Sequence, residues 1–173
     1  MNSHPFADIT ARDIMHADPI VVGPDQSLAD LRHLLIKSQI SGVPVVSSGK
    51  LVGIISRSDL VRVEEMLETL DEQVSDRESW LDNQADGFQH PLPQGFAGFQ
   101  QALARMHVKD AMRAQVVTCR PHTPVVEVAD EMVRQHVHRV VVVDGDGHKP
   151  IGIVSTLDIA AMVAGRPRGA AGQ

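Results

Sequence analysis

A chain of 173 residues is about one domain by length, and with 43% of it hydrophobic it can bury a core. Net charge is −6, and there are no Tyr, one Trp and four Phe. Both facts disfavour a nucleic-acid partner, since phosphates are repelled and few rings offer themselves for base stacking. The single cysteine, Cys119, makes no internal disulfide and points to a reducing compartment. The N-terminal stretch MNSHPFADITARDIM lacks an apolar signal region, and no run reaches membrane-spanning length. The expectation is a cytoplasmic chain with no membrane partner.

In chain order, the first predicted element is a short β-branched strand over 20–22. Leu28, Leu31, Leu34 and Leu35 then form one apolar stripe, which predicts a helix with Asp25 or Ser27 as its N-cap. A strand over 43–46, the turn Ser47-Ser48-Gly49 and a strand over 51–55 follow, and GIISRSDL opens the next helix. That helix is expected to continue as an acidic extension to residue 81, where Met66, Leu67, Leu70 and Val74 give a modest stripe. Residues 64–86 hold nine acids and one base, a net of −8, so the rest of the chain carries +2. PLPQG breaks the pattern. Phe88, Phe96 and Phe99 then gather near a short helix running to Met106, and these rings are expected to pack back onto the module.

The same order of elements then recurs. A strand over 116–119 precedes a helix striped with Val125, Val128, Met132 and Val133, with Thr123 as N-cap and Pro124 at the first helical position. A strand over 140–143, the turn Asp144-Gly145-Asp146-Gly147 and a strand over 151–154 lead to GIVSTLDI. The uninterrupted valines predict strands buried on both faces. A shift of 97 residues lays Asp13-Ile14-Met15 on Asp110-Ala111-Met112 and Val43-Pro44-Val45-Val46 on Val140–Val143. A shift of 99 lays GIISRSDL on GIVSTLDI, the longer second turn accounting for the difference. The chain is therefore two β-α-β-β-α copies with an insert between them.

These residues together resemble a tandem pair of CBS domains, the regulatory module named after cystathionine β-synthase. The resemblance rests on Asp13/Met15 and Asp110/Met112, Gly42-Val43-Pro44-Val45-Val46, His138-Arg139-Val140-Val141-Val142-Val143-Asp144 and the two Gly-x-x-Ser-x-x-Asp closings, and covers roughly 9–63 and 107–164. It implies an α/β (α+β) fold of two repeats packed as a pseudo-twofold pair. The division is 1–65 for the first repeat, 66–106 for the acidic helical insert, 107–164 for the second repeat and 165–173 for a disordered tail. It implies a regulatory module, not an enzyme, that binds an adenosine-containing ligand (AMP, ADP, ATP or S-adenosylmethionine) and relays its state to a regulated protein partner. A homodimer is also implied, because such pairs associate as discs. An alternative is an interaction protein that acts through its acidic insert.

Ser-x-x-Asp at a strand-to-helix junction has two readings. In one, Ser56/Asp59 and Ser155/Asp158 only cap their helices. In the other, the helix N-terminus and the serine hydroxyl meet a phosphate while the aspartate accepts the vicinal hydroxyls of a ribose. The two are compatible. The resemblance places the preferred site in the second repeat, on Thr118, His138, Arg139, Val140, Ser155, Thr156 and Asp158. The weaker site is Val21, Gly42, Val43, Pro44, Ser56, Arg57 and Asp59. Arg139 is expected to read phosphate, since a guanidinium binds it bidentately. Ser41-Gly42 offers no matching cation, although Arg57 is a candidate substitute. Gly53 and Gly152 are expected to let backbone and ligand approach closely.

Other chemistry finds less support. Nine histidines raise a metal site, but His136 is expected to end a helix, and no Cys or carboxylate stands at zinc-like spacing beside His138. Cys119 reads as core filler, and no nucleophile–base order or phosphate-transfer loop stands out.

Overall fold

The computed structural model describes residues 5–67, 69, 96–146 and 148–166. The elements are α1 (Ala11–Ile14), β1 (His16–Ala17), α2 (Leu28–Lys37), β2 (Gly42–Ser47), β3 (Lys50–Ser56), α3 (57–67), α4 (Phe96–Arg105), α5 (Val108–Ala111), β4 (Thr118–Cys119), α6 (Val125–Arg134), β5 (Arg139–Val143), β6 (Pro150–Ser155) and α7 (Thr156–Val163). The fold is mixed α/β (α+β), and each repeat carries its predicted helix, hairpin and closing helix. The chain divides into two compact units: 1–21, 43–54 and 113–173 in one, 22–42 and 55–112 in the other.

In the first unit, four strands run in the order β1-β6-β5-β4. β4 lies parallel to β5, β5 antiparallel to β6, and β6 antiparallel to β1. Val140 to Val143 are all buried, as the unbroken valine run predicts for a strand covered on both faces. One face carries Val140, Val142 and Val154 into a core with Val125, Val128 and Met132 of α6, Met162 of α7, and Ala11 and Ile14 of α1. Val133 leaves the predicted stripe and is 73% exposed, because Met132 takes the inward position in that turn. α6 begins one residue later than expected, with Pro124 at its N-cap. The Thr123 hydroxyl instead accepts from the Arg120 amide at 3.0 Å, closing the turn before the helix.

The N-terminal segment completes the second repeat. The amides of Ala11 and Arg12 donate to the carbonyls of Thr123 and Pro121, and β1 extends the sheet beside β6. Residues 20–22 form no named strand; Ile20 and Val21 are exposed, and the strand lies earlier, at His16–Ala17. Asp13, one of the motif residues, folds back on Thr10, whose amide and hydroxyl donate to Oδ2 at 2.8 and 2.7 Å. Those two hydrogen bonds hold its carboxyl below the ordinary carboxylate value.

In the second unit, residues 106–109 do for the first repeat what 9–12 do for the second. The Leu28 amide donates to Met106, while those of Val108 and Lys109 donate to Gln26 and Pro24. Lys109 Nζ also meets Asp25 at 2.7 Å, so Asp25 is an ion-pair partner, and Ser27 caps α2 by accepting from the Asp30 amide at 3.1 Å. α4 realises the short helix expected before Met106 and lies against α2. The β2–β3 hairpin turn, which belongs to the first unit, takes its positive φ at Ser48 (49°) and Gly49 (77°). Most of the acidic insert, the ring of Phe88 and the tail beyond Arg166 lie outside the described residues, as do the side chains of Phe96 and Phe99.

Candidate functional site

β6 ends at Ser155, and its residue type fixes what happens next. A serine in extended conformation (φ −111°, ψ 164°) followed three residues later by a carboxylate is a capping box. The Ser155 amide donates to Asp158 Oδ2 at 2.7 Å and its hydroxyl to the same oxygen at 2.5 Å. The Asp158 amide returns a bond to Ser155 Oγ at 3.3 Å. The carboxylate is thereby drawn into the helix start and is 3% exposed. Its other oxygen, Oδ1, meets His16 Nε2 at 3.1 Å. His16 is 57% exposed on its side chain and lies on β1.

Strand register adds the neighbours. Arg139 is the direct cross-strand partner of Ser155, and directly opposed residues project on one face. A second row on that face crosses the sheet: Thr118 opposite Val141, Val141 opposite Ile153, and Ile153 opposite His16. The His138 carbonyl accepts the Thr156 amide at 3.1 Å, tying the strand start to the helix start. Arg139, Ser155, Thr118 and His16 therefore share one sheet face, with Thr156 and Asp158 in the first turn of α7 beside it. Val140 alternates to the other face, in the core under α6. A cavity of about 740 Å³ opens on that helical side, between Thr118, Cys119, Val140 and Val143 of the strands and Glu127 and Glu131 of α6. It takes in Thr118 and Val140 but not Arg139, Ser155 or Asp158. Burial pushes the Cys119 thiol up to about 11.

Gly152 packs against Met15. A β-carbon there would fall 3.0 Å from Met15 Cγ and 3.2 Å from Met15 Cβ, so the missing side chain makes room for the N-terminal segment.

The first repeat has the same frame and different occupants. Ser56 donates to Asp59 Oδ2 from its amide at 2.9 Å and its hydroxyl at 2.6 Å, and Asp59 is 2% exposed. Asp59 Oδ1 accepts from Arg62 Nη2 at 2.6 Å. Gly42 stands where Arg139 stands in the second repeat, and a β-carbon on it would lie 3.0 Å from the Ile55 carbonyl. Arg57, the candidate substitute cation, donates from Nη2 to the Leu35 carbonyl at 2.9 Å. Val43 and Pro44 are buried in β2, and Val21 is exposed ahead of α2. Sequence reasoning missed His16 and Arg62. Arg62 is three residues from Asp59 on one helix and was legible from that spacing. His16 lies 142 residues from Asp158, and no local pattern joins them.

A family model described as the CBS domain matches residues 11–65 and 108–165. The chain belongs to the CBS domain family. It is 34% identical over 154 residues to the protein MJ1426 of Methanocaldococcus jannaschii, covering 86% of this chain and 87% of that one. It is 27% identical to the 5'-AMP-activated protein kinase subunit gamma-3 of Sus scrofa, across 79% of this chain and 21% of the relative. Among solved structures it is similar to the CBS domain pair of protein MJ0100 in complex with 5-methylthioadenosine and S-adenosyl-L-methionine. There the TM-score is 0.64 at 25% identity, with 90% of this chain and 96% of that one covered. The CBS domain occurs here as a tandem pair, and the observed fold is that of the MJ0100 pair.

Proposed function

We propose that this CBS pair is a non-catalytic regulatory module that binds an adenosine-containing ligand and passes its state to a protein partner. The observation that carries the reading is the cross-strand pairing of Arg139 with Ser155 at the start of α7. That pairing sets a guanidinium beside a hydroxyl, a helix N-terminus and, one turn on, a buried carboxylate. A phosphate suits the first three groups, through charge-assisted bonds and the helix dipole. The vicinal hydroxyls of a ribose suit the last. Support comes from the structure similar to this chain that holds 5-methylthioadenosine and S-adenosyl-L-methionine, and from the similarity to a subunit of an AMP-activated kinase. The second repeat is the stronger site, with Gly42 in place of Arg139 and Arg57 turned to Leu35 in the first. The module works as a cytoplasmic homodimer that reports adenylate or adenosyl status.

Calorimetric titration with AMP, ADP, ATP and S-adenosylmethionine tests this. Saturable binding of at least one, weakened by Arg139→Ala or Asp158→Ala, is the expected result. Indifference to all four overturns it.

A further inference from the structure

Asp158 has two carboxylate oxygens in different hands. Oδ2 is committed to Ser155, by bonds inside one helix turn. Oδ1 is held by an imidazole that belongs to a distant part of the chain and is itself half in water. We propose that His16 is an exchangeable latch on Asp158, holding the outer oxygen until the vicinal hydroxyls of a ribose displace it, and holding it more tightly when protonated. This rests on the ribose role proposed above for Asp158.

Three observations carry it. First, the carboxylate is buried, so a diol reaches Oδ1 only where a covering group gives way, and His16 is the exposed group bonded to that oxygen. Second, the equivalent oxygen in the first repeat is bonded by Arg62, a permanent cation on the same helix, whereas α7 has Ala161 at that position. Third, Arg113 bridges Ile54 as His16 opposes Ile153, so the second repeat carries a titratable ring where the first carries a fixed charge. A neutral imidazole gives Oδ1 one ordinary hydrogen bond; a protonated one gives a charge-assisted bond of about twice the strength. Of the titratable groups nearby, Asp158 is the sole one on α7 and β6 has none; α1 carries Arg12 and Asp13, Asp18 follows β1, and across the sheet Arg139 of β5 shares the face, with His138 just before it. Asp13 is engaged by Thr10. The contact that His16 makes is to Asp158, so that contact changes with protonation of the ring.

The test uses the full chain and adenosine, a neutral nucleoside whose charge stays constant across the range. Affinity is measured by calorimetry at about pH 5.5 and about pH 8, either side of the ordinary histidine value, with circular dichroism confirming the fold at both. The wild type is expected to bind roughly fivefold more weakly at the lower pH, the lower end of typical coupling between linked sites. His16→Ala should bind more tightly at the lower pH and lose the difference. His16→Gln, which keeps a donor without a titration, should also be flat. As a second readout, the His16 imidazole resonance, assigned by its absence in His16→Gln, should change its chemical shift once adenosine saturates the protein. If Asp158→Asn weakens adenosine but His16→Ala keeps the pH dependence or binds more weakly at both values, the latch is wrong and the ribose reading stands. If adenosine fails to bind, or binds Asp158→Asn unchanged, the ribose reading falls and the latch with it.

Discussion

Arg139 and Ser155 stand directly opposite one another on the last rung of the β5–β6 ladder, at the point where β6 turns into α7. A one-residue slip would send the guanidinium to the core face and the hydroxyl to the other. The valine run of β5, buried on both faces, pins that register.

If Arg139 reads phosphate, wild type should prefer AMP to adenosine, and the preference should weaken with salt. Arg139→Ala should remove about 1.5–3 kcal/mol of AMP affinity, roughly ten- to hundredfold, and leave adenosine nearly unaffected. Parallel titrations of both ligands measure the ratio, and an unaltered ratio would place the phosphate elsewhere.

Asp158 and Asp59 each secure a helix start, so Asp158→Ala and Asp59→Ala should both lower stability, by about 1–2 kcal/mol per lost cap. Thermal unfolding without ligand reads that common effect. Adenosine affinity should separate them, falling for Asp158→Ala and holding for Asp59→Ala. Equal losses in both would contradict the assignment to the second repeat.

Gly152 and Met15 are a packing pair. Gly152→Ala should destabilise by about 1–3 kcal/mol through overpacking. Met15→Ala in the same chain should recover part of that loss, so the double-mutant cycle should show a non-zero coupling of opposite sign. Denaturant unfolding of the four proteins supplies the numbers, and simple additivity would argue against the contact.

Cys119 should be slow to alkylate near neutral pH, because its thiol is pushed up to about 11 and the thiolate is the nucleophile. The sign is simple: burial disfavours the charged form, so the rate should climb about tenfold per pH unit until that value is approached. Iodoacetamide labelling followed by mass spectrometry measures it. A rate that levels off near the ordinary cysteine value would mean that the side chain is more open than the fold implies.

Val133 on α6 and Leu157 and Val163 on α7 are exposed apolar groups, as are Ile36 on α2 and Val61 and Met66 on α3. Such faces are expected to be covered by a second copy, closed twofold pairing being the commonest oligomer. Light scattering at micromolar concentration should give about twice the 18.8 kDa chain mass. A Val133→Asp variant should shift the population toward the single chain.

The legible parts of this fold were those written in local periodicity. The 97- and 99-residue shifts revealed the duplication, the valine runs revealed buried strands, and Ser-x-x-Asp revealed two capped helix starts. The expected strand over 20–22 failed because β-branched residues favour extended backbone without saying what they pair with. The true edge strand, His16–Ala17, is too short to show alternation. The packing of Met15 on Gly152 was not legible, because a glycine states that something approaches, not what. Long-range partners such as His16 with Asp158 leave no trace in spacing at all.

The exchange of N-terminal segments bears on the order of synthesis. Residues 9–17 leave the ribosome well before their partners on β6 and α7, with 142 residues separating His16 from Asp158. At ordinary translation speeds that interval is on the order of ten seconds. During it, Ala11 and Ile14, both buried in the finished core, have no surface to rest on, while the first repeat can already close around residues 106–109. A nascent-chain arrest series should show protease protection of 22–65 once about 113 residues are outside the tunnel. Protection of Ala11 and Ile14 should come only when the whole of α7 has emerged, so an early-made segment waits for a late-made one to find its place.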